Sequence, residues 1–280
     1  MTIASYGQVL VHLDATRSAP ARLAAARRIA DEQGAALAAL YAAVPVYLEL
    51  PYPPDGAPSL AASLIDIDVQ RCKATRKMFD ETMRAPGPIA TWAQTSEVPA
   101  VGAFVTQALY ADLLVLGQRD PSEAAAGVPP DFAESVVLAS GRPALVLPYT
   151  GMELRTAGTV AIAWKETPEA ARAVSAAMPL LQRAGRVHVL AWDEEPPLEV
   201  TGQQLDLDGY LRLHGVEPTW HRGGPAPQAL GELLLSRLSD LGADLLVMGC
   251  YGHSRAREWI LGGTSRTILR SMTLPVLLAH

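Results

Sequence analysis

Two stretches of this 280-residue chain are nearly identical: residues 112–117 read DLLVLG, and residues 244–249 read DLLVMG, 132 positions later. Downstream of each stretch a proline opens another apolar run, at Pro143 and at Pro275, again 132 positions apart. Two separate matches at one offset indicate an internal repeat. The repeat decides the fold, because each copy must then be one structural unit with its own core.

The length of the chain agrees with two domains, which we place at residues 1–150 and 151–280. Each half opens on an apolar run, residues 9–14 and residues 160–165, and an Ala-rich segment follows each run. These openings lie 151 positions apart, so the first half holds extra residues in its middle. The Pro-rich stretch at residues 45–58 is the predicted insertion.

Short apolar runs without alternating polarity predict strands buried on both faces, as in a parallel sheet covered by helices. Each half has five such runs with four helical patterns between them. The predicted strands are residues 8–14, 36–44, 88–95, 112–117, 143–148, 159–164, 187–192, 217–222, 244–249 and 275–280. The predicted fold class is therefore α/β: two tandem doubly wound domains, each an open five-stranded parallel sheet with helices on both faces. Ligands bind such sheets beyond the carboxyl ends of the strands, where the strand order reverses.

The loop after the fourth strand of the second half is the segment whose residues suggest chemistry. Glycines and hydroxyl residues border a nine-residue spacer there: Gly249, Gly252, Gly262, Gly263, Thr264 and Ser265. Glycines let the backbone approach a ligand closely, and the N–H groups that open the following helix attract an anion. Either hydroxyl can cap that helix or bond a phosphate oxygen. The pattern predicts a phosphate-binding loop or, in the structural alternative, only a turn before a capped helix. It is not a Walker A loop, because no Gly-Lys-Ser/Thr follows.

The spacing Gly-x2-Gly-x9-Gly, placed after the fourth strand, resembles the ATP-binding signature of the universal stress protein family. The tandem halves, the Ala-rich first helices and Asp14 at the end of the first strand are similar to that family along nearly the whole chain. The resemblance implies an adenine nucleotide alpha-hydrolase-like fold and a site for ATP or a related adenine nucleotide, with or without Mg²⁺. It also implies that the glycines and a following hydroxyl hold the ribose and phosphates, while a strand-end aspartate approaches the nucleoside.

The second half departs from the family pattern at two places. Gly263 stands where the family has a hydroxyl residue, so the nearest hydroxyls come one and two residues later. Lys165 replaces the strand-end aspartate, and Trp164 precedes it. A lysine can pair with a phosphate but does not accept a hydrogen bond from a ribose hydroxyl. The tryptophan can stack on a base or fill the adenine pocket. We expect these two residues to belong to the nucleotide site of this half.

The first half has the strand-end aspartate, Asp14, but it lacks the glycine-rich loop after its fourth strand. The positions 132 residues before Gly252, Gly262 and Gly263 are Asp120, Pro130 and Asp131. Carboxylates at that place would repel phosphates. We therefore expect no nucleotide in the first half, where Asp14 is a remnant of the site or a turn residue that serves the first helix.

Composition limits the class of protein. The formal net charge is −6, and no basic stripe suits a nucleic acid. Cys72 and Cys250 are too few for a disulfide framework and have no metal-ligand spacing. The start of the sequence does not read as a signal peptide, and no run of 18 apolar residues is present to span a membrane. We expect a cytoplasmic protein without a metal site, a nucleic-acid partner or a membrane segment.

Three functions are compatible with these residues. The first is a non-enzymatic stress-response protein that binds a nucleotide in its second domain. The second is an interaction module whose two pockets have both decayed. The third is a slow adenylate or ATP hydrolase, which ranks last because no residue pattern supplies a catalytic group. The family resemblance also implies that the final strands of the two domains, at residues 144–147 and 276–279, pair edge to edge. We also expect a homodimer and a protein partner of unknown identity.

Overall fold

A computed structural model describes residues 4–49, 58–95, 100–123, 127–151, 155, 158–193, 202, 204–250, 252 and 263–280. The chain divides into two compact units. The N-terminal unit is Tyr6–Glu153, and the C-terminal unit is Leu154–His280 together with Met1–Ser5. Within the C-terminal unit, the backbone N–H of Ala4 donates to Oε1 of Gln182 at 2.8 Å.

The N-terminal unit has a five-stranded parallel sheet in the order β3-β2-β1-β4-β5. Its strands are β1 (Gln8–Leu13), β2 (Ala36–Ala42), β3 (Ala90–Thr95), β4 (Leu113–Gly117) and β5 (Ala144–Leu147). Its helices are α1 (Ala19–Gln33), α2 (Val46–Glu49), α3 (Pro58–Met83), α4 (Ala100–Ala108) and α5 (Phe132–Ser140), with one 3₁₀ turn at Pro121–Glu123.

The C-terminal unit repeats this order as β8-β7-β6-β9-β10, again with parallel pairing throughout. Its strands are β6 (Thr159–Trp164), β7 (Arg186–Asp193), β8 (Pro218–Pro225), β9 (Leu245–Gly249) and β10 (Val276–Ala279). Its described helices are α6 (Pro168–Leu181), α7 (Leu207–Leu213), α8 (Leu230–Leu241) and α9 (Thr264–Ser271). The predicted fold class is confirmed, with an open five-stranded parallel sheet in each unit.

The aspartate that opens each repeated stretch has the same structural task in both units. Oδ2 of Asp112 accepts the backbone N–H of Gly7 at 2.8 Å, and Oδ2 of Asp244 accepts that of Thr159 at the same distance. Each carboxylate thus ties the start of the fourth strand to the start of the first. The repeat in sequence therefore reflects a repeated contact between neighbouring strands.

The first helix shows how the sequence sets the ends of its elements. A proline occupies the first turn of α1, where its missing N–H costs nothing, and Gly34 ends the helix with φ of 66°. Glycine is the residue that most readily adopts this left-handed conformation at a helix end. The sequence did not predict α2 or the 3₁₀ turn, because elements of three or four residues have too few positions to show a period.

The central strands are almost fully buried. Because the strands are parallel, the carboxyl ends of β1 and β4 lie at one edge of their sheet, and those of β6 and β9 lie at the same edge of theirs, where the following helices begin. The strand order reverses between these neighbours in each unit. Ligand sites of doubly wound sheets lie at such reversals. No helix within the described residues is both long and apolar enough to cross a bilayer.

Candidate functional site

In the C-terminal unit, the predicted site residues that follow β6 and β9 lie on neighbouring strands. The two strands pair up to Ala163 and Met248, so Trp164 and Gly249 are the next residues along each. The Trp164 side chain is half-buried, and Lys165 is exposed. A turn follows at once, since the N–H of Thr167 donates to the carbonyl of Lys165 at 2.7 Å. The fold thus brings the predicted tryptophan beside the first signature glycine.

Gly249 is a glycine because two backbone segments meet there. A Cβ at this position would lie 2.5 Å from the backbone nitrogen of Ala170, in the first turn of α6. No side chain fits in that space without moving the helix. The φ angle of Gly249 is not positive, so close approach rather than a left-handed backbone explains the residue.

Behind Gly249, the chain is fixed by β10. The N–H of Cys250 donates to the carbonyl of Ala279 at 3.0 Å, and its thiol donates to the same oxygen at 3.4 Å. Nδ1 of His280 lies 3.0 Å from the carbonyl oxygen of Cys250. Because a carbonyl only accepts, Nδ1 carries the proton of this contact and Nε2 is left as the other ring nitrogen. Cys250 is 2% exposed and serves packing; His280 was not predicted as a residue of this region.

Glu169 is the second residue at this site that the sequence did not predict. Its Oε2 lies 3.0 Å from the point where a Cβ of Gly252 would stand, and its Oε1 lies 3.1 Å from a guanidinium nitrogen of Arg172. Burial by itself would raise the pKa of Glu169. Hydrogen bonds from its own N–H and from the Thr167 side chain, with the nearby charges of Arg172 and His280, instead hold the pKa below its usual value. Glu169 is therefore ionised at neutral pH.

The far side of the predicted loop is the start of α9. Gly263 is the N-cap, with φ of −50°, and its carbonyl accepts the N–H of Thr267 at 3.1 Å. The helix has no side-chain cap hydrogen bond, so of the two roles predicted for Thr264 and Ser265 the capping role is not observed. Thr264 is half-buried and Ser265 is 4% exposed. Gly252 is exposed, while Gly262 lies outside the described residues.

In the N-terminal unit, Asp14 is 3% exposed and is fully engaged by the protein. Its Oδ2 lies 2.6 Å from a guanidinium nitrogen of Arg22, which also donates through Nε to the carbonyl of His12 at 2.7 Å. Its Oδ1 accepts the N–H of Thr16 at 2.9 Å and the Thr16 hydroxyl. Asp14 is thus both a turn residue and one half of a buried ion pair.

His12 completes this buried cluster. Its ring stacks on Phe132 with centroids 4.2 Å apart, and its Nε2 lies 2.8 Å from the carbonyl oxygen of Ala42. Nδ1 lies 3.5 Å from Oδ2 of Asp14. Burial lowers the pKa of His12 to about 4, against the opposing effect of the Asp14 carboxylate. The imidazole is therefore neutral at pH 7, and the cluster has one full ion pair.

The space beside this cluster is small. A cavity of about 40 Å³ is lined by residues that include Arg22, Gly117, Asp120 and Phe132. That volume suits ordered water, whereas small-molecule sites usually measure several hundred Å³. The Asp120 carboxylate accepts the N–H and the hydroxyl of Ser122, and that of Asp131 accepts the Ser135 hydroxyl. The two predicted carboxylates are present, and each is bonded within its own turn.

Comparison with known proteins identifies relatives of the chain. A sequence model described as the universal stress protein family matches residues 230–280. Universal stress protein Slr1230 of Synechocystis is 41% identical over 46 residues, which are 16% of this chain and 16% of that protein. The alignment therefore spans far less than two thirds of the relative.

Solved structures share the fold over nearly the whole chain. A universal stress protein from Archaeoglobus fulgidus superposes with a TM-score of 0.68 at 14% identity, covering 97% of this chain and 95% of that one. A protein of unknown function from Pseudomonas aeruginosa superposes with a TM-score of 0.55 at 13% identity, covering 98% and 92%. At such identities the likeness concerns the fold alone. Residues 230–280 thus match the universal stress protein family, and the chain has the fold seen in a solved universal stress protein.

Proposed function

We propose that the C-terminal unit binds ATP or a related adenine nucleotide, and that the chain acts as a non-enzymatic stress-response protein of the cytoplasm. One contrast carries the proposal. At the end of β9, Gly249 lies against helix backbone and Gly252 is exposed, whereas at the end of β4 the Arg22 side chain covers Gly117. Backbone amides near exposed glycines can face an anion, and a buried ion pair cannot be displaced cheaply.

Three further observations support the C-terminal unit as the binding unit. The family match covers residues 230–280, which include β9, Gly252, Gly263 and α9. Trp164 lies beside Gly249 and is only half-buried, so a base could stack on it. Lys165 follows it as an exposed cation able to pair with a phosphate. These residues would hold the base and the phosphates of one nucleotide.

A binding role without turnover agrees with the carboxylate at this site. A general base works best when its pKa lies near the working pH. The pKa of Glu169 is held below its usual value, and Oε1 is engaged by Arg172. Glu169 is therefore a weak base at pH 7, and we expect phosphate release no faster than from ATP without protein.

The test is a binding measurement on the full chain with a matched glycine control. We expect Mg²⁺–ATP to stabilise the protein by about 2.7 kcal/mol at one hundred times the dissociation constant. Gly252→Asp should abolish this shift, because it adds a carboxylate next to Glu169. Gly224→Asp is the control, since no atom lies within 4 Å of a Cβ at that exposed position of β8. Absence of a shift with every adenine nucleotide would favour the decayed interaction module.

We also propose that nucleotide occupancy is passed to a protein partner and that two chains form a homodimer. Light scattering should then give twice the chain mass of 29.8 kDa. A mass of one chain at micromolar concentration would end the dimer proposal. The edge-to-edge pairing of residues 144–147 with residues 276–279 stays a prediction.

A further inference from the structure

β3 is the outermost strand of the N-terminal unit, and its outer edge is open. Within the described ranges it pairs only with β2, so the backbone groups along its other side have no neighbouring strand. Thr91, Ala93 and Gln94 are exposed, and Ile89, which precedes the strand, is 79% exposed. Residues 90–95 read ATWAQT and contain no charge, proline or glycine. An open edge of this composition is a template for pairing with another strand.

The outermost strand of the C-terminal unit, β8, has a different composition. Pro218 and Pro225 are its first and last residues, and Arg222 is an exposed cation on it. The pairing of β8 with β7 shifts register before Asp193. Prolines, bulges and charges are features that keep an edge strand from pairing with another chain. The sequence thus disfavours strand addition at β8 and has none of these residue types within β3.

The helix that covers β3 adds an apolar surface beside the open edge. Arg76 of α3 contacts the strand, with its guanidinium carbon 5.2 Å from the centre of the Trp92 ring. Positions 65, 69 and 76 lie on one side of a helix, because they are four and eleven residues apart. Ile65 and Val69 are therefore on the side of α3 that contacts β3, and they are 62% and 40% exposed. Ile67, which is 43% exposed, lies on the opposite side.

We propose that β3 is a dimerisation strand, which pairs antiparallel with β3 of a second copy of this chain while Ile65 and Val69 pack at the same interface. A two-fold axis through the shared edge brings identical strands together in the antiparallel direction, so the surface is its own partner. The inference rests on the homodimer proposed above, for which it supplies the contact surface. It does not depend on nucleotide binding.

The charges of this surface suit a second copy of the chain. Like charges that face each other across paired strands are destabilising, and a strand without charges avoids this penalty when it pairs with itself. The guanidinium of Arg76 lies 2.9 Å from a carboxylate oxygen of Asp80, which reduces repulsion between the two copies of the arginine.

The size of the surface explains why the helix takes part. A stable interface buries roughly 800 Å² on each partner. An edge of six residues supplies only part of this area, so apolar side chains next to the strand have to supply more. Ile65 and Val69 are large apolar residues in that place. We therefore expect the strand and the helix to contribute separately to the affinity of the dimer.

The first experiment measures the dissociation constant of the full-chain dimer by sedimentation over a concentration series. Ala93→Lys puts a lysine in the middle of each β3, where the two copies would lie close together. The constant should rise at least about tenfold, which is about 1.4 kcal/mol. Thr219→Lys is the matched control: it introduces the same residue at an exposed position of β8 and should leave the constant unchanged.

The contribution of α3 is measured with a second pair of variants. Ile65→Ser should raise the dissociation constant at least about fivefold, because it removes apolar surface that the dimer buries. Ile67→Ser makes the same change on the opposite side of the helix and should not alter the constant. Both side chains are exposed, so neither variant should change the fold.

Hydrogen exchange of the wild type locates the contact without any variant. Amides of residues 90–95 should exchange more slowly at a concentration well above the dissociation constant than at one well below it. Amides of residues 218–225, in β8, should exchange at the same rate at both concentrations.

The outcomes separate this inference from the other proposals. A wild type that stays monomeric at micromolar concentration would overturn both the inference and the homodimer, and it would leave nucleotide binding intact. A dimer whose dissociation constant is unchanged in Ala93→Lys and in Ile65→Ser would overturn the inference alone, because the contact would then lie elsewhere. Slow exchange of residues 90–95 at every concentration would mean that the chain itself covers this edge, and it would also overturn the inference.

Discussion

The two units have the same strand order and the same glycine at the end of the fourth strand, but they use that glycine differently. Gly117 in the N-terminal unit makes room for the Arg22 side chain, which a Cβ there would overlap. Gly249 in the C-terminal unit makes room for the backbone at the start of α6. One unit therefore closes its strand-end site with an internal ion pair, and the other leaves an exposed lysine and an exposed glycine. A duplicated fold has kept its scaffold while its two sites have diverged.

The largest expected effect concerns the ion pair that closes the N-terminal unit. Arg22→Ala should lower the free energy of unfolding of that unit by about 3–5 kcal/mol, because it leaves the Asp14 carboxylate buried and unpaired. Hydrogen exchange of peptides from residues 6–153, measured against denaturant, reports this unit separately. Arg28→Ala on the exposed side of α1 should change stability by no more than about 0.5 kcal/mol.

A double variant sharpens this prediction. Replacing both charges, as in Asp14→Leu with Arg22→Met, removes the pair without leaving a lone charge and should cost less than either single change. Equal losses in the single and double variants would show that packing, rather than charge, closes this unit.

The next effect is the pH dependence that His12 gives to the N-terminal unit. The pKa of His12 falls from 6.5 to about 4 on folding, so the unfolded chain takes up a proton between these values and the folded chain does not. The stability that neutral His12 contributes is complete above pH 6.5, declines as the pH falls and is gone near pH 4. The difference corresponds to about 3 kcal/mol.

Unit-resolved hydrogen exchange at pH 7, 5.5 and 4.5 checks this dependence. His12→Leu should flatten the dependence of the N-terminal unit. The C-terminal unit has Ala163 at the equivalent position. Its own pH dependence comes from His188, whose pKa is lowered by partial burial and by the nearby His221 and Arg186, and should not change in His12→Leu. The pKa of Asp14 is also lowered, although its burial opposes this, chiefly by Arg22. Its contribution is lost only at lower pH, below about 4. An unchanged pH dependence of the N-terminal unit in His12→Leu would contradict the assignment to His12.

A smaller effect is expected at the glycine of the C-terminal unit. Gly249→Ala places a methyl group 2.5 Å from the backbone of α6 and should lower the free energy of unfolding by about 2 kcal/mol. Nucleotide binding should fall with it, because the first turn of α6 packs directly against Gly249 at the proposed site. Gly224→Ala, with no atom within 4 Å of the new Cβ, should leave both quantities nearly unchanged. Wild-type stability in Gly249→Ala would show that α6 tolerates displacement.

The smallest expected effect is the difference in stability caused by removing the N-cap side chain of the first helix in each unit. Thr167 accepts the N–H of Ala170, whereas Ser18 at the N-cap of α1 makes no side-chain cap hydrogen bond. Thr167→Ala should cost about 1 kcal/mol, and Ser18→Ala should cost only a few tenths. Thermal unfolding of both variants measures the difference. Equal costs would mean that the cap of α6 adds nothing to the placement of Glu169.

The sequence predicted the scaffold because buried parallel strands leave long apolar runs, and a repeat shows each run twice. It placed Trp164, Gly249 and Gly252 at one strand-end edge for the same reason. It did not predict that Arg22 reaches Asp14, since that contact depends on how α1 packs on β1. The available signal for this contact was an arginine, Arg22, on the buried face of α1 beside Leu23 and Ala26.

Glu169 was missed for a related reason. It stands 83 positions from Gly252, and only the close packing of α6 on β9 brings its carboxylate to the loop. The Thr-Pro-Glu sequence at residues 167–169 signals a helix start but does not show what that start faces. Side-chain contacts across elements set the chemistry of both sites, and local patterns do not encode them.

Calorimetric titration of the full chain with Mg²⁺–ATP tests the contrast between the units most directly. One nucleotide per chain is predicted, with binding lost in Gly252→Asp and kept in the pair-replacing variant of Asp14 and Arg22. Two nucleotides per chain, or binding that survives Gly252→Asp but disappears with the N-terminal pair, would contradict the assignment of the site to the C-terminal unit.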